Sequence, residues 1–286
     1  MRRGAVVRSL LRRRVALAGA VLLGITGLTA ALAPVIAPWD PLALDVPGRL
    51  GRPGAAHWLG TDDVGRDVLS RVLHGARVSV VVGGLVVLLA VAAGLVVGLL
   101  AGYYRRLDNA LMRVMDGLMA FPAILLAIAL MASLGPSLRN VVLALGVVYT
   151  PRIARIVRGS VLVVRELPYV EAARAAGAAD LAILRRHVLP NCLSPVIVQG
   201  TFIFALAVLG EAALSFLGVG APPTVPSWGN ILAEGRLYLQ QAPWLVLAPG
   251  VAIMATILGL NLFGDGLRDA LDPKLRSVTG GARSAA

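Results

Sequence analysis

The sequence predicts an all-α membrane protein with six membrane-spanning helices. Of its 286 residues, 58% are hydrophobic and 15% are charged. Soluble domains usually carry about 25% charged residues, so too few charges are present here to cover a surface that faces water. The apolar residues are also gathered into long runs, several of which reach the roughly 20 residues that a helix needs to cross a bilayer. Much of the surface is therefore expected to face lipid.

Five apolar runs contain no charged residue and are long enough to span a membrane. They are 15–39, 78–104, 117–138, 188–210 and 237–264. A sixth run, 140–151, is short. It reaches spanning length only if Arg152 and Arg155 lie at the end of its helix, where arginine side chains can extend to the headgroups. This run supplies the fourth predicted helix in chain order.

The first apolar run has a second interpretation as a cleaved signal peptide. A basic start, an apolar run and the small residues Ala31-Leu32-Ala33 are typical of such a segment. However, the apolar region of a signal peptide has about 7–15 residues. The run at 15–39 is longer, so we expect a helix that is retained.

The distribution of basic residues predicts the orientation of these helices. If the N-terminus is cytoplasmic, the cytoplasmic segments 1–14, 102–116, 152–187 and 265–286 carry 20 Lys and Arg residues, and the outer segments 37–77, 136–139 and 217–240 carry 7. Cytoplasmic loops are enriched in these residues, so both termini are expected in the cytoplasm. The same rule accounts for the net charge of +12. No nucleic-acid binding is expected, because apolar runs separate the basic clusters.

The two outer loops differ in predicted structure. In the first, Val64, Val68, Leu69, Val72 and Leu73 share one helical face, with Thr61 as the predicted N-cap and Asp62 and Asp63 near the positive end of the helix dipole. This pattern predicts an amphipathic helix on the membrane surface before the second span. The second loop, LGVGAPPTVPSWGNILAEG, is rich in Pro and Gly and is expected to pack on protein or water, because its amides would be unsatisfied in lipid.

No pattern in the sequence indicates an enzyme, a metal site or a cofactor. Cys192 is the single cysteine, and His57, His74 and His187 are scattered without ligand spacing. The phosphate-binding pattern GxxxxGK[ST] is missing, and no nucleophile stands beside a candidate base. We therefore expect a non-catalytic protein without metal or cofactor.

The predicted cytoplasmic loop before the fifth span contains the most informative pattern. It reads ELPYVEAARAAGAADLAILRRHVLPN. Residues 166–176 are rich in Ala and predict a helix, which Gly177 can end. A second short helix is expected over about 180–188, with Pro190 near the start of the next span. Two short helices joined at a glycine would suit docking on a soluble partner.

This loop resembles the EAA motif of importer permeases in the ATP-binding-cassette (ABC) superfamily. The matching residues are Glu171, Ala172, Ala173, Gly177, Leu189 and Pro190. The motif has Ile where this chain has His187, a departure expected in the peptide and nickel branch. Segments resembling the C-type permease of dipeptide, oligopeptide and nickel importers follow in matching order: HWLGTDDVGRDVLSRVLHGARVS, EAALSFLGVG, PSWGNIL and NLFGDGLRDALDPKLR.

The resemblance implies the transmembrane domain of a type I ABC importer. Such a permease pairs with a second homologous permease in the lipid bilayer, and two cytoplasmic ABC ATPases dock on the EAA loops. An extracytoplasmic binding protein delivers the solute, expected to be a peptide or a related small molecule. The division expected is an N-terminal segment at 1–76, a transmembrane domain at 77–265 and a cytoplasmic tail at 266–286.

Several residues keep two interpretations. Glu171 is expected to pair with a basic group of the ATPase, or else is a solvated charge. Ala172, Ala173 and Gly177 would allow close approach of the partner, or reflect helix propensity and a turn. Glu211, a carboxylate inside a predicted span, either lines the pathway or makes a polar contact between helices. Arg66, Asp67 and Arg71 either meet the binding protein or hold the outer helix to headgroups.

Two other functional classes compete with the importer. A secondary transporter or channel would have several ionisable residues within its spans, whereas Glu211 is the one good candidate. A membrane anchor without transport would give no reason for two ordered outer loops rich in Gly and Pro. Neither class accounts for the cytoplasmic docking loop.

Overall fold

The structure, a computed structural model, describes residues 13–271, and most of these residues are helical. The α-helices are α1 (Arg14–Ile36), α2 (Val68–Tyr103), α3 (Arg105–Met119), α4 (Ala123–Leu134), α5 (Leu138–Val164), α6 (Pro168–Ala175), α7 (Asp180–Ile183), α8 (Leu189–Phe216), α9 (Trp228–Gly235) and α10 (Trp244–Leu271). Within that range β pairing is limited to one isolated antiparallel bridge between Thr61 and Asp67. The predicted all-α class is confirmed.

Five continuous helical segments are long and apolar enough to cross a membrane. They are α1, α2, α5, the run from α7 through α8, and α10. The third predicted span, 117–138, is wrong as one straight helix, because α3 and α4 meet there at 92°. Pro122 explains the break, since proline lacks the amide hydrogen and disfavours a helical residue before it. The bent α3–α4 pair makes the sixth span if it is counted as one.

The fourth predicted span is longer than the sequence indicates. Its helix, α5, has 27 residues and continues past Arg152 and Arg155 to Val164. Arg155 forms an ion pair with Asp116, at 2.7 Å between Nη2 and Oδ1. These arginines therefore do not mark the end of the helix.

The helices place the loops on two faces of the bundle. We call the side with residues 37–67 and 217–243 the long-loop face, and the side with 104–122 and 165–188 the arginine-rich face. On the first face, the indole nitrogen of Trp244 donates to the carbonyl of Thr61, at 3.2 Å. On the second, Arg165 donates to the carbonyl of Gly102, at 2.8 Å.

The centre of the bundle is the parallel pair of α2 and α5. Gly94, Gly98 and Gly102 face α5 at intervals of four residues. A Cβ atom at Gly98 would lie 2.6 Å from the carbonyl oxygen of Ala154 and from Cβ of Val157. Small residues at this spacing let two backbones approach closely, as is common between membrane helices.

Helix α1 packs against α10 at the edge of the bundle. A Cβ atom at Gly19 would lie 2.6 Å from the amide nitrogen of Phe263, and the hydroxyls of Thr26 and Thr256 lie 3.2 Å apart. The opposite side of α1 exposes large apolar side chains such as Leu28 and Val35. An exposed apolar surface of this extent is suited to lipid or to another membrane chain. The predicted boundary at residue 76 falls inside α2, and the division into three segments stays a prediction.

Candidate functional site

The predicted docking loop projects from the arginine-rich face as two helices joined by a tight turn. Helix α6 ends at Ala175, and Gly177 adopts a φ of 80°. The amide of Gly177 donates to the carbonyl of Arg174, and the amide of Ala178 donates to that of Ala173. These are the two bonds of a Schellman motif, which places glycine at its left-handed position.

The loop is anchored by two apolar residues and exposes most of the others. Val170 and Ile183 are fully buried in the main core. Between them, Glu171, Ala172 and Gly177 are exposed, and Ala173 is half-buried. Leu181, at the start of α7, is 76% exposed. The small residues and Leu181 together form a firm, partly apolar projection.

The loop is also tied to the end of α2. The hydroxyl of Tyr103 donates to Oδ1 of Asp180, at 2.7 Å. The guanidinium of Arg174 lies 6.0 Å from the centre of the Tyr103 ring. Tyr103 therefore contacts both short helices of the loop, and a displacement of the loop would reach α2 through this side chain.

The loop leads without interruption into the fifth span. A π-helical turn, Leu184–Val188, joins α7 to α8, and the amide of Leu189 donates to the carbonyl of Leu184. Pro190 follows, and its missing amide hydrogen removes one ordinary helical bond where the extra residue is inserted. The predicted second helix is therefore the first part of one continuous helical segment, 180–216. Leu189 is half-buried and Pro190 is exposed at the base of the projection.

Glu211 lies inside α8 near the long-loop face and is completely buried. Its Oε1 accepts from the hydroxyl of Ser215, at 2.8 Å, and that hydroxyl accepts from the amide of Ala221. The hydroxyl of Ser227 faces the carboxyl group, but Oε2 makes no hydrogen bond of normal geometry. This burial favours the polar-contact interpretation of Glu211, and its role in the pathway stays a prediction.

The amphipathic surface helix predicted from Thr61 to Leu73 is wrong. Helix α2 begins at Val68, its N-cap is Asp67, and it continues unbroken into the second span. The hydroxyl of Thr61 instead accepts from the amide of Gly51, at 2.7 Å. The segment before Asp67 is thus held by loop contacts rather than by a helix of its own.

A buried ion cluster occupies the position of that predicted helix. We define the outer ion cluster as Asp62, Arg66, Arg71 and Glu234. Arg71 is completely buried and contacts both carboxylates, and Arg66 does the same from a partly exposed position. The two interpretations of Arg66 and Arg71, binding-protein contact or headgroup anchor, are both replaced by an internal structural role. Sequence reasoning missed Glu234, for which the sole signal was a carboxylate in a loop rich in Gly and Pro.

Asp63 lies beside the outer ion cluster and brings a third carboxylate close to Asp62 and Glu234. Ligand atoms of Asp62, Asp63 and Glu234 lie within 4.8 Å of one another, which is a spacing that a cation could bridge. Arg66 and Arg71 already neutralise this group, so the charge that would attract a metal is largely compensated. Burial, and then repulsion from Asp62 and Glu234, raises the pKa of the Asp63 carboxyl group.

A second group of ion pairs joins α3 to α5 near the arginine-rich face. Arg158 binds both carboxylate oxygens of Asp108, at 2.5 and 2.7 Å, and Arg155 binds Asp116. These residues line a cavity of about 570 Å³ between the two helices. Sequence reasoning did not single out the two aspartates, although their spacing of eight residues on one helix was visible.

The fold agrees with comparisons to known proteins. Residues 94–277 match the family described as binding-protein-dependent transport system inner membrane component. Residues 4–53 match the N-terminal TM domain of oligopeptide transport permease C. The chain belongs to this permease family. The resemblance inferred from the EAA loop and the later segments is thereby confirmed.

Relatives of the permease cover almost its whole length. A putative peptide transport system permease protein of Brucella suis is 55% identical over 269 residues, covering 94% of this chain and 91% of the relative. The dipeptide transport system permease protein DppC of Alkalihalophilus pseudofirmus is 45% identical, with coverages of 94% and 89%. A glutathione transport system permease protein of Pectobacterium atrosepticum is 44% identical, with coverages of 94% and 90%.

A solved structure confirms the fold class of the permease. It is the MetNI methionine ABC transporter in inward-facing conformations, with a TM-score of 0.59 and 21% identity. The similarity covers 71% of this chain and 96% of that chain. The predicted transmembrane domain of an ABC importer is therefore the observed architecture.

Proposed function

We propose that this permease is the translocation subunit of an ATP-driven importer for peptides or related small solutes. Its relatives include proteins named as permeases for peptides, dipeptides and glutathione. Separate ATPase subunits would hydrolyse ATP, and an extracytoplasmic binding protein would deliver the solute. A second, homologous permease would complete the pathway, covering part of the large apolar surface that the helices expose.

The observation that carries this proposal is the form of the docking loop. It projects from the bundle, is anchored at both ends by buried residues, and continues as one rod into α8. A force applied to the projection would therefore move a membrane-spanning helix rather than a flexible loop. This is the mechanical property that coupling to a nucleotide-driven partner requires.

Each motif residue has a role in the proposed docking. Glu171 is exposed on α6 and is available for a basic group of the ATPase. The small side chains at Ala172 and Ala173, and the absence of one at Gly177, would allow the ATPase surface to come close to the loop backbone. Leu189 and Pro190 form its base, where the π-helical turn meets the fifth span.

The orientation follows from the same assignment. The docking loop lies on the arginine-rich face, so this face would be cytoplasmic, with both termini on the same side. The long-loop face would then meet the binding protein. The outer ion cluster holds residues 62–71 against α9. The structure of this face would therefore not depend on contact with the binding protein.

The test is affinity purification of the tagged permease from membranes in mild detergent, with identification of co-purifying chains by mass spectrometry. The test variant is Leu181→Glu, because Leu181 is 76% exposed and its loss should not disturb the core. The matched control is Leu237→Glu, at a residue 74% exposed on the opposite face. We expect the ATPase to fall about tenfold in Leu181→Glu and to remain in the control, as is typical of an apolar contact at the centre of an interface.

The alternatives predict different outcomes of this purification. Recovery of a second permease and an ATPase, with the ATPase lost in Leu181→Glu, supports the importer and the site of docking. An ATPase that is retained in both variants contradicts docking at this loop. Recovery of this chain alone as a homo-oligomer contradicts the importer and favours a secondary transporter.

A further inference from the structure

One arginine of α5 stands at the middle of the membrane-spanning part of the helix. Arg139 lies in the first turn of α5, and Arg165 follows its last residue. Arg152 is thirteen residues from each, or about 20 Å from either end at 1.5 Å per residue. The full separation of about 39 Å is close to the thickness of a bilayer with its headgroups. Arg152 therefore lies halfway along the span, about one turn from the ion pair of Arg155 and Asp116.

Arg152 differs from its neighbours in having no carboxylate partner. Arg155 and Arg158, the next two arginines of the helix, each form an ion pair with an aspartate of α3. Among residues 13–271, the ion pairs of α5 do not include Arg152. An unpaired charge at this depth is costly, and such residues usually face a water-filled pathway and act in transport.

The guanidinium of Arg152 rests on a rigid support. It lies 5.6 Å from the centre of the Tyr149 ring. Tyr149 is buried, and its hydroxyl donates to the carbonyl of Leu206 in α8, at 3.1 Å. Since the ring is fixed between two spans, it holds the cation by a cation–π contact. This contact leaves the donor groups of the guanidinium free for a ligand in its plane.

The backbone beside Arg152 is interrupted as well. Pro151 lies inside α5 and has no amide hydrogen, so the carbonyl of Val147 loses its usual helical donor. The charge and the interruption thus coincide within one turn.

A cavity between α3 and α5 opens about one turn from Arg152, on the side of the arginine-rich face. The ion pair of Arg155 and Asp116 is open, with its side chains 51% and 60% exposed. It lines the cavity between α3 and α5 and lies about one turn from Arg152. Two exposed charges would be costly in free energy beside lipid tails but not beside water, which favours an aqueous cavity at this position.

We propose that Arg152 binds the carboxylate of the solute as the solute passes α5 within the membrane. This inference rests on the proposed function and names the chemical group that the pathway recognises. A guanidinium offers paired donors that match a carboxylate in two parallel hydrogen bonds. The preferred solutes are therefore those with a free carboxylate, such as the C-terminus of a peptide.

The first experiment measures uptake by the purified complex in proteoliposomes, with ATP inside and the binding protein outside. The probes are labelled Ala-Ala-Ala and its C-terminal amide. The variants are Arg152→Gln, Arg152→Lys and the control Arg139→Gln, an exposed interfacial arginine of the same helix. Because every preparation contains the same binding protein, a change in the acid-to-amide uptake ratio between variants reports on the permease.

The expected result is a fall of about tenfold or more in this ratio for Arg152→Gln, the effect of losing a charge-assisted hydrogen bond. Arg152→Lys keeps the charge but loses the paired donors and should retain only part of the ratio, and Arg139→Gln should match the parent. An unchanged ratio in Arg152→Gln overturns the proposal, as does an equal loss of both probes, which would indicate a purely structural role.

A second measurement works even if the wild-type complex imports no peptide, which would contradict the proposed function instead. Ile156→Cys places a thiol one turn from Arg152, on a residue that lines a cavity of about 810 Å³, whereas Cys192 is buried. Its reaction rates with anionic and cationic methanethiosulfonates are compared with Arg152 present and with Arg152→Gln. We expect the anionic preference to fall about fivefold in Arg152→Gln. No reaction, or the same preference in both, would overturn an accessible cation at this position.

Discussion

The side chains of Arg71 and Asp62 lie 2.5 Å apart, Nη1 to Oδ2, and both are completely buried. Glu234 accepts from the same guanidinium, although it is 163 residues away in the sequence. One arginine thus joins the first long loop, the start of α2 and the helix α9. The long-loop face is held together by charge as well as by packing.

Removal of this arginine should unfold the long-loop face. We expect Arg71→Gln to lower the free energy of unfolding by about 3 kcal/mol, because the buried Asp62 and the partly exposed Glu234 each lose one of their two arginine partners. The melting temperature of the variant in detergent should fall by about 10 °C. Arg49→Gln, at an exposed arginine of the same loop, is the control and should leave the melting temperature unchanged. An equal melting temperature for Arg71→Gln would contradict the structural role of the outer ion cluster.

The sequence shows that position 71 carries a positive charge, but it does not predict which groups surround Arg71. An apolar face around Val68 and Val72 suggested a surface helix, because sequence periodicity does not distinguish a face that lies on lipid from one that packs on protein. Besides Asp62, Arg71 pairs with Glu234, and no local rule pairs residues so far apart in the sequence. The buried position was consequently visible only in three dimensions.

The spans show the same division between local and distant causes. Gly177 was predicted to end its helix, and it does so with a left-handed φ, because this preference is local. The third and fourth spans were less well predicted. The longer apolar run at 117–138 favours a span there more than the short run at 140–151 does. However, Pro122 breaks the helix at 117–138. At 140–151 the helix continues, because ion pairs with α3 allow arginines inside it. Pro122 was available in the sequence, but the pairing of Asp108 and Asp116 across two helices was not.

The pH dependence of stability should contain a contribution from Asp63. Burial, followed by repulsion from Asp62 and Glu234, raises the pKa of its carboxyl group above the ordinary value of 3.8, although Arg66 opposes the change. The folded state therefore favours the protonated form. This contribution to stability is fully present below pH 3.8 and is lost as the pH rises through the folded pKa.

Asp63→Asn should remove the loss of stability that the ionisation of Asp63 causes as the pH rises. Near neutral pH we expect its melting temperature to exceed that of the parent by about 2 °C, since an amide carries no charge to repel Asp62. The difference should disappear below pH 3.8, where the parent carboxyl group is protonated in both states. Asp63→Glu retains the charge and serves as the comparison. A stabilisation that is the same at both pH values would show that the cause is not ionisation.

The conformation of Gly177 should control ATPase docking under the proposed function. Its Cβ would meet no other atom within 4 Å, so the restriction at this position comes from the φ of 80° rather than from space. Gly177→Asn should retain the ATPase in co-purification, because asparagine tolerates left-handed backbone. Gly177→Val should lose most of it, since a β-branched residue strains this conformation. Equal recovery with the two variants would indicate that the turn geometry does not matter for docking.

The glycines between α2 and α5 should be sensitive for the opposite reason, which is space. At Gly98 a Cβ would lie 2.6 Å from the carbonyl oxygen of Ala154, whereas at Gly84 of the same helix it would meet nothing within 4 Å. Both residues are helical, so Gly→Ala gains helix propensity equally at the two positions. We expect Gly84→Ala to be neutral or slightly stabilising, and Gly98→Ala to cost about 1–3 kcal/mol because the backbones must separate. Thermal unfolding of the two variants in detergent measures the difference, and a Gly98→Ala protein as stable as Gly84→Ala would contradict the close packing of α2 on α5.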